Sequence, residues 1–299
     1  MRKTFKKITC GVLALACTFG SATNLVACKT SDPEVKMTIE FNGETYTLNY
    51  KLDRNVAPQT VEHFLWLADN EFYDGLCVHD YSQDDYTRMY TGAYQAATDA
   101  EDADGLVYRK YYDTIKESKD FDDFPVSVWM QKDKENPTYT LKGEFSENKY
   151  DVKNGELLKE TFGSLTMYYH SIPEEEQDIA DKDVYMISAS GDELIKRDYK
   201  YNYTTSMFYI SLSNTAVRNK MYCTFATLKS GSVDELEDLK EALDEYIEEK
   251  FDDDVAEFAP EKEVTVCTDD PYLGLQNMKK AFNVPKTPII IQKVKVTKW

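Results

Sequence analysis

Met37-Thr38-Ile39-Glu40-Phe41 is followed by Asn42-Gly43 and then by the alternating run Thr45 to Leu52. Apolar residues at every second position mark a strand with one buried face. Asn-Gly tolerates the two positive φ angles of a tight hairpin turn. The stretch therefore predicts an antiparallel hairpin, and the rest of the chain is read outward from it. Further strand-like segments are Leu76 to Tyr81, Thr138 to Phe145, Gly163 to Tyr169, Tyr203 to Leu212, Met221 to Leu228 and Pro288 to Thr297. Two segments have helical spacing instead. Pro58 suits a first helical turn, with Val61, Phe64, Leu65 and Ala68 on one face. Ser232-Val233-Asp234-Glu235 reads as a capping box ahead of Leu236, Leu239, Leu243 and Ile247. Many strands with two amphipathic helices predict a mainly β, closed or nearly closed barrel with helices over its ends.

Two long stretches interrupt this pattern, at about 95–137 and 171–202, and read as loop insertions. The second holds a strand-like run, Val184 to Ser188. The first carries the acidic groups Asp99, Glu101, Asp102 and Asp104, and then Asp120 to Asp123. Calcium loops need oxygen ligands at regular offsets around a turn-making glycine. These groups match that pattern only loosely, so a solvated surface is favoured over a cation site. No internal repeat and no Gly/Ser linker divides residues 37–299.

The chain has 299 residues and a formal charge of −19. Such a balance argues against nucleic acid, whose phosphates need Lys and Arg. Among the six cysteines, Cys77 and Cys223 sit in apolar contexts and read as small core residues. No cysteine pair has metal-type spacing, and His63, His79 and His170 are scattered, so no metal site is expected.

The first residues read as an export signal. Arg2, Lys3, Lys6 and Lys7 precede an apolar run, Ile8 to Phe19, that is too short to span a bilayer. Leu25-Val26-Ala27-Cys28 then resembles the lipobox of bacterial lipoproteins. That resemblance implies a signal peptide over 1–27, lipidation at Cys28, a tether over 28–36, and a protein anchored to the outer face of a bacterial cell membrane. An ordinary secretory signal with an incidental cysteine is the alternative.

From residue 37 on, the chain resembles the cyclophilin-type peptidyl-prolyl cis/trans isomerases. Ala57-Pro58-Gln59-Thr60-Val61, Phe64-Leu65 and Phe72-Tyr73-Asp74-Gly75 resemble that family's first helix and the turn after it. Leu141 to Phe145 resembles its Ile-x-Gly-Glu-Phe segment, and Gly163 to Met167 its Gly-x-Leu-Ser-Met strand. Ser206-Met207-Phe208-Tyr209-Ile210 stands where the family has Ser-Gln-Phe-Phe-Ile, and Phe225 to Gly231 where it has Phe-Gly-x-Val-x-x-Gly. The resemblance implies a closed eight-stranded antiparallel barrel capped by two helices, spanning 37–299. It implies an activity on X-Pro bonds of exported clients, with no cofactor.

Isomerisation breaks no bond. Its barrier of about 18–20 kcal/mol is lost amide resonance on twisting. As the prolyl nitrogen twists it regains a lone pair and accepts a hydrogen bond, and the family supplies an arginine from Phe-His-Arg. Here that segment reads Val78-His79-Asp80, so an acceptor replaces the donor. Losing one aimed donor costs on the order of 100- to 1000-fold in rate in other enzymes. The family's Phe-Met-x-Gln-Gly appears as Arg88-Met89-Tyr90-Thr91-Gly92, displaced by three inserted residues. By the same resemblance Met89 and Phe208 match pocket residues, and Thr91 and Met207 replace glutamines. Tyr209 replaces a pocket phenylalanine, Tyr222 a histidine and Tyr169 a peptide-contacting asparagine.

Two functional readings stay open. In one, the protein is a divergent isomerase in which Arg88 supplies the donor with His79 or Tyr222 assisting, and Met89, Thr91, Met207, Phe208, Tyr209 and Tyr169 contact the peptide. In the other, catalysis is lost and the barrel is a surface module for peptides or glycans. Its contact residues would come from Tyr81, Tyr86, Tyr90, Tyr94, Tyr108, Tyr111 and Tyr112. For Arg88 the bland alternative is a surface arginine paired with Asp84 or Asp85, and for the tyrosines it is packing of the inserted loop.

Overall fold

In the computed structural model β1 (Glu34–Phe41) and β2 (Glu44–Leu52) pair antiparallel, from Glu34 opposite Lys51 to Phe41 opposite Glu44. Asn42 and Gly43 adopt φ of 50° and 85°, the two positive angles the turn demands. Met37, Ile39, Phe41, Leu48, Tyr50 and Leu52 point into the core. The structure describes residues 31–82, 86–97, 105–150, 156–169, 177–188, 193–214, 216, 220–266 and 278–299, and from Asp32 onward they belong to one unit. The lipobox, Cys28, Asp84, Asp85, the Asp99–Asp104 group, His170 and Cys267 lie outside the described residues.

The chain continues through α1 (Pro58–Asp69), β3 (Leu76–Cys77), β4 (Asp80–Ser82), β5 (Arg88–Thr91), β6 (Tyr94–Ala96), β7 (Leu106–Tyr108), α2 (Tyr111–Glu117) and β8 (Val128–Trp129). Then come β9 (Leu165–Met167), α3 (Gln177–Ala180), β10 (Asp183–Ile187), β11 (Leu194–Asp198), β12 (Phe208–Ser211) and β13 (Cys223–Leu228). The last elements are α4 (Val233–Phe251), α5 (Val255–Phe258), β14 (Glu261–Val266), β15 (Met278–Asn283) and β16 (Ile289–Lys298).

Nine strands form the main sheet, in the order β3-β16-β1-β2-β13-β9-β12-β5-β4. The expectation of a closed eight-stranded barrel is therefore corrected to an open half-barrel of nine. Its edges are β3 and β4, which are not paired with each other. Only Val78 and His79 separate them, and these two N–H groups donate to different strands, to the Ile289 carbonyl at 2.8 Å and the Tyr90 carbonyl at 2.9 Å. One short segment thus serves both edges of the sheet. It divides into two strands because its halves pair with different neighbours.

α1 buries Val61, Phe64, Leu65 and Ala68, the face its spacing predicts. α4 likewise buries Leu236, Leu239, Leu243 and Ile247. The capping box does not close, however. Ser232 makes no side-chain cap bond; its Oγ accepts from Asn49 N and Nδ2, both at 3.0 Å, and Glu235 Oε1 accepts from Thr47 N at 2.8 Å. β13 pairs with β2 only at Tyr50, Lys51 and Leu52. The helix start therefore satisfies the next N–H groups along that edge, which would otherwise lack partners.

Thr138 to Phe145 is not a strand. It makes one isolated bridge, Leu141 to Thr204, and a second lies just before it, at Pro137 to Trp129. Side chains take its other groups: Lys142 N donates to Ser127 Oγ at 3.1 Å, and Gly143 N to Asn202 Oδ1 at 3.0 Å. The first insertion is more ordered than a loop, since it contains the β6–β7 hairpin, α2 and β8. β8 joins β10 and β11 in a separate three-stranded sheet. Tyr81, Tyr94, Tyr111 and Tyr112 are buried, so these tyrosines pack the structure from within. The β14–β15 hairpin carries no signal in the sequence reading.

Candidate active site

β5 lies between β4 and β12 in the main sheet, and its register decides which side chains can meet. Tyr90 stands opposite Asp80 on one side and Tyr209 on the other. Met89 stands opposite Ile210, and Thr91 opposite Phe208. Successive strand residues point to opposite faces. Met89, Phe208 and Ile210 accordingly lie in the main core, and Thr91 Oγ1 donates to the Cys77 carbonyl at 2.9 Å. Arg88, Tyr90 and Tyr209 share the other face. Met89 and Phe208 therefore do not join Tyr209 in one pocket.

On that second face an aromatic group assembles. Tyr90 and Tyr209 have ring centroids 5.0 Å apart, and Tyr168 packs 4.9 Å from Tyr90. Tyr222 is 5.6 Å from Tyr168 and 6.3 Å from Tyr209. Burial raises the Tyr90 hydroxyl to about 12 and pushes those of Tyr168, Tyr209 and Tyr222 up as well. All four therefore stay protonated at neutral pH.

Arg88 lies across this group, 4.8 Å over the Tyr209 ring and 5.1 Å from that of Tyr86. Its Nε and Nη2 donate to Glu160 Oε1 and Oε2 at 2.8 and 2.9 Å. Glu160 is 1 % exposed and also accepts from the Tyr209 hydroxyl at 2.8 Å. A buried carboxylate needs such saturation, because removing it from water costs several kcal/mol that one contact rarely offsets. The Arg88 side chain keeps 16 % exposure, and among the described residues its Nη1 makes only a long 3.5 Å contact, to the Tyr90 hydroxyl. Glu160 has no motif in the sequence and stands 72 positions from Arg88, so no local pattern marks it.

The other candidates are placed elsewhere. His79 is fully buried between Tyr94 and Phe282, with centroids at 4.9 and 5.0 Å, and neither ring nitrogen has a hydrogen-bond partner among the described residues. Burial, helped by Lys280, lowers its pKa to about 3, so it stays neutral. Tyr169 points inward, packed on Phe145 and donating to the Lys142 carbonyl at 3.2 Å. Met207 is covered by Val264, Phe282 and Val284, from β14, β15 and the residues after them. Asp80 holds the same hairpin: its Oδ1 accepts from Asn283 N at 2.9 Å and Nδ2 at 3.3 Å. Lys280 reaches from β15 to donate to the Tyr168 hydroxyl and lies 4.7 Å over that ring. No cluster of His, Cys, Asp or Glu suited to a metal ion occurs among the described residues.

Residues 36–257 match the family model described as cyclophilin type peptidyl-prolyl cis-trans isomerase/CLD. No curated protein matches the chain. Among solved structures, the chain is similar to a Cryptosporidium parvum cyclophilin type peptidyl-prolyl cis-trans isomerase. Identity is 14 %, the TM-score is 0.41, and the match covers 90 % of this chain and 99 % of that one. The same protein in the presence of the dipeptide Ala-Pro matches with the same identity and score, over 89 % and 99 %.

Proposed function

The chain belongs to the cyclophilin-type peptidyl-prolyl cis-trans isomerase family, and on that premise we propose that it is a slow isomerase of X-Pro bonds whose donor is Arg88. The observation that carries this reading is the guanidinium held over Tyr209 by Glu160 with Nη1 left over. Aromatic faces receive proline rings and polyproline segments well, because the ring is flat, apolar and already ordered. Tyr209 is fully buried beneath the guanidinium, so a prolyl residue rests instead on the outer edge of Tyr90 and on Arg88 itself, which brings its amide nitrogen near a cation that Glu160 holds in place. As the amide twists and its nitrogen becomes a base, Nη1 donates to it. The reaction needs no covalent intermediate and no cofactor. Asp80 stays out of the way because Asn283 occupies it.

The clients are proline-containing segments of exported proteins, and the protein meets them at the outer face of a bacterial cell membrane, anchored through acylated Cys28. Dual acylation is the kind of double signal that gives stable anchoring. Prolyl isomerisation takes tens to hundreds of seconds unaided, so newly exported chains gain from a helper there.

The second reading, a surface binding module without catalysis, is favoured by one observation. Met207 and Asp80, which align with the family's glutamine and arginine, are occupied in seating the β14–β15 hairpin. NMR exchange on an Ala-Pro peptide separates the two. The wild type is expected to accelerate exchange, and Arg88→Gln to lose that acceleration while keeping its fold by circular dichroism. If the wild type gives none but still binds the peptide, the module reading replaces the first. Detergent partitioning of wild type and Cys28→Ser tests the anchor, and equal partitioning rejects it.

A further inference from the structure

A second cationic place lies away from Arg88, between the two insertions. Two adjoining cavities of about 150 and 160 Å3 share Lys142, Tyr150 and Ser188. Lys142 is only 5 % exposed, yet among the described residues it has no carboxylate within ion-pair distance. Its Nζ donates to the Ile187 carbonyl at 2.8 Å and stands 5.1 Å from the Tyr150 ring. An ammonium carries three donors, and the Ile187 carbonyl takes one. Its backbone is held on both sides, by Ser127 Oγ and by the Tyr169 hydroxyl, so the amine has little freedom to leave.

The two cavities differ in charge. The first is lined by buried Glu144, whose oxygens accept from Gln59 N at 3.2 Å and Thr60 N at 2.9 Å. The second is lined by Lys142, Lys149 and Arg197 and, among the described residues, by no acidic side chain, in a protein whose net charge is −19. Its remaining wall includes Met186, Ile195 and the Tyr150 ring. A lining that combines three cations with apolar side chains suits a small amphiphilic anion. Burial lowers the Lys142 pKa and the neighbouring Arg197 adds to that effect, while Glu144 opposes it. A bound anion would relieve both costs.

We propose that the second cavity binds a carboxylate with a short apolar body, taken from a free branched acid or from the C-terminal residue of a chain. The carboxylate sits at Lys142 and Arg197, and the apolar part lies against Met186 and Ile195. The proposal is independent of the reading of Arg88.

The test is a titration of the full-length protein followed by the Met186 methyl signal. The probes are sodium isovalerate, N-acetyl-Gly-Val with a free C-terminus, and the amide of that peptide. At least one acid is expected to saturate the signal while the amide does not. Saturation by isovalerate alone assigns a free acid, and by the peptide alone a chain terminus. Lys142→Met should weaken binding by about tenfold or more, the loss of one charge-assisted bond. Arg197→Gln, at a half-buried position, is the second variant should Lys142→Met not fold, and a weaker loss is expected. The proposal is overturned if neither acid saturates, if the amide binds as tightly as the acid, or if a folded Lys142→Met or Arg197→Gln binds like wild type.

Discussion

The two faces of the β5–β12 pair differ in what they tolerate. The inner face is Met89, Phe208 and Ile210 in the main core, where Phe208 meets Phe64 at 5.4 Å and Tyr73 at 5.4 Å. The outer face is Arg88, Tyr90 and Tyr209, with Glu160 entering from the loop before β9. The inner face leaves little freedom, because close packing penalises any change of volume. On the outer face only local polar partners must agree, as Arg88, Glu160 and the Tyr209 hydroxyl do. Core packing and the polar cluster around Arg88 are therefore carried by alternate residues of the same two strands.

This contrast can be broken from either side. Phe208→Ala should have the largest effect, about 3–5 kcal/mol of lost stability from a cavity in a packed core, read by denaturant unfolding. A loss under about 1 kcal/mol would mean that the inner face is not tightly packed. Arg88→Met should come close behind, about 3 kcal/mol, because it leaves Glu160 buried and unpaired. Adding Glu160→Leu to Arg88→Met should recover much of that loss, and the non-additivity in a double-mutant cycle measures the pair. Additive losses would show that Arg88 and Glu160 do not act together.

His79 sharpens the contrast through pH. Its folded pKa, lowered to about 3, lies below the ordinary value of 6.5, so the unfolded chain takes up a proton first as pH falls. His63, lowered to about 4 by burial, acts in the same sense. Their contribution is complete above pH 6.5 and is lost as pH falls from there toward 4 and then 3, by at most about 1.4 kcal/mol per pH unit for each histidine. His79→Phe suits the aromatic surroundings and should hold stability at pH 7 while reducing the acid slope by up to one proton. An unchanged slope would show that His79 is protonated in the folded protein. Asn283→Ala should have the smallest effect, about 1 kcal/mol, and it should appear as faster amide exchange in β14 and β15 alone.

Much of the framework was legible in sequence because short-range periodicity expresses burial directly. Asn42-Gly43, the spacing of Val61 to Ala68 and that of Leu236 to Ile247 needed no knowledge of distant residues. The division of Phe208 from Tyr209 was also open to reading, since neighbours on a strand cannot face the same side. Grouping Met89, Phe208 and Tyr209 in one pocket overlooked that alternation. Other features had no local signal. Ser232 and Glu235 look the same whether they cap their own helix or bond to β2, and only the unpaired edge at Thr47 and Asn49 decides which.

The sequence by itself determined the family, the mainly β architecture and the presence of Asp80 and Arg88 within one short segment. These follow from residue identity and from periods of two and 3.6, which any short segment displays. Only the tertiary structure decided that the sheet stays open between β3 and β4, that Asp80 and Met207 pack with the β14–β15 hairpin, and that Arg88 is held by Glu160. Each of these depends on which groups, far apart in the chain, meet out of water. A charge or an N–H at such a place must find a partner wherever the fold supplies one.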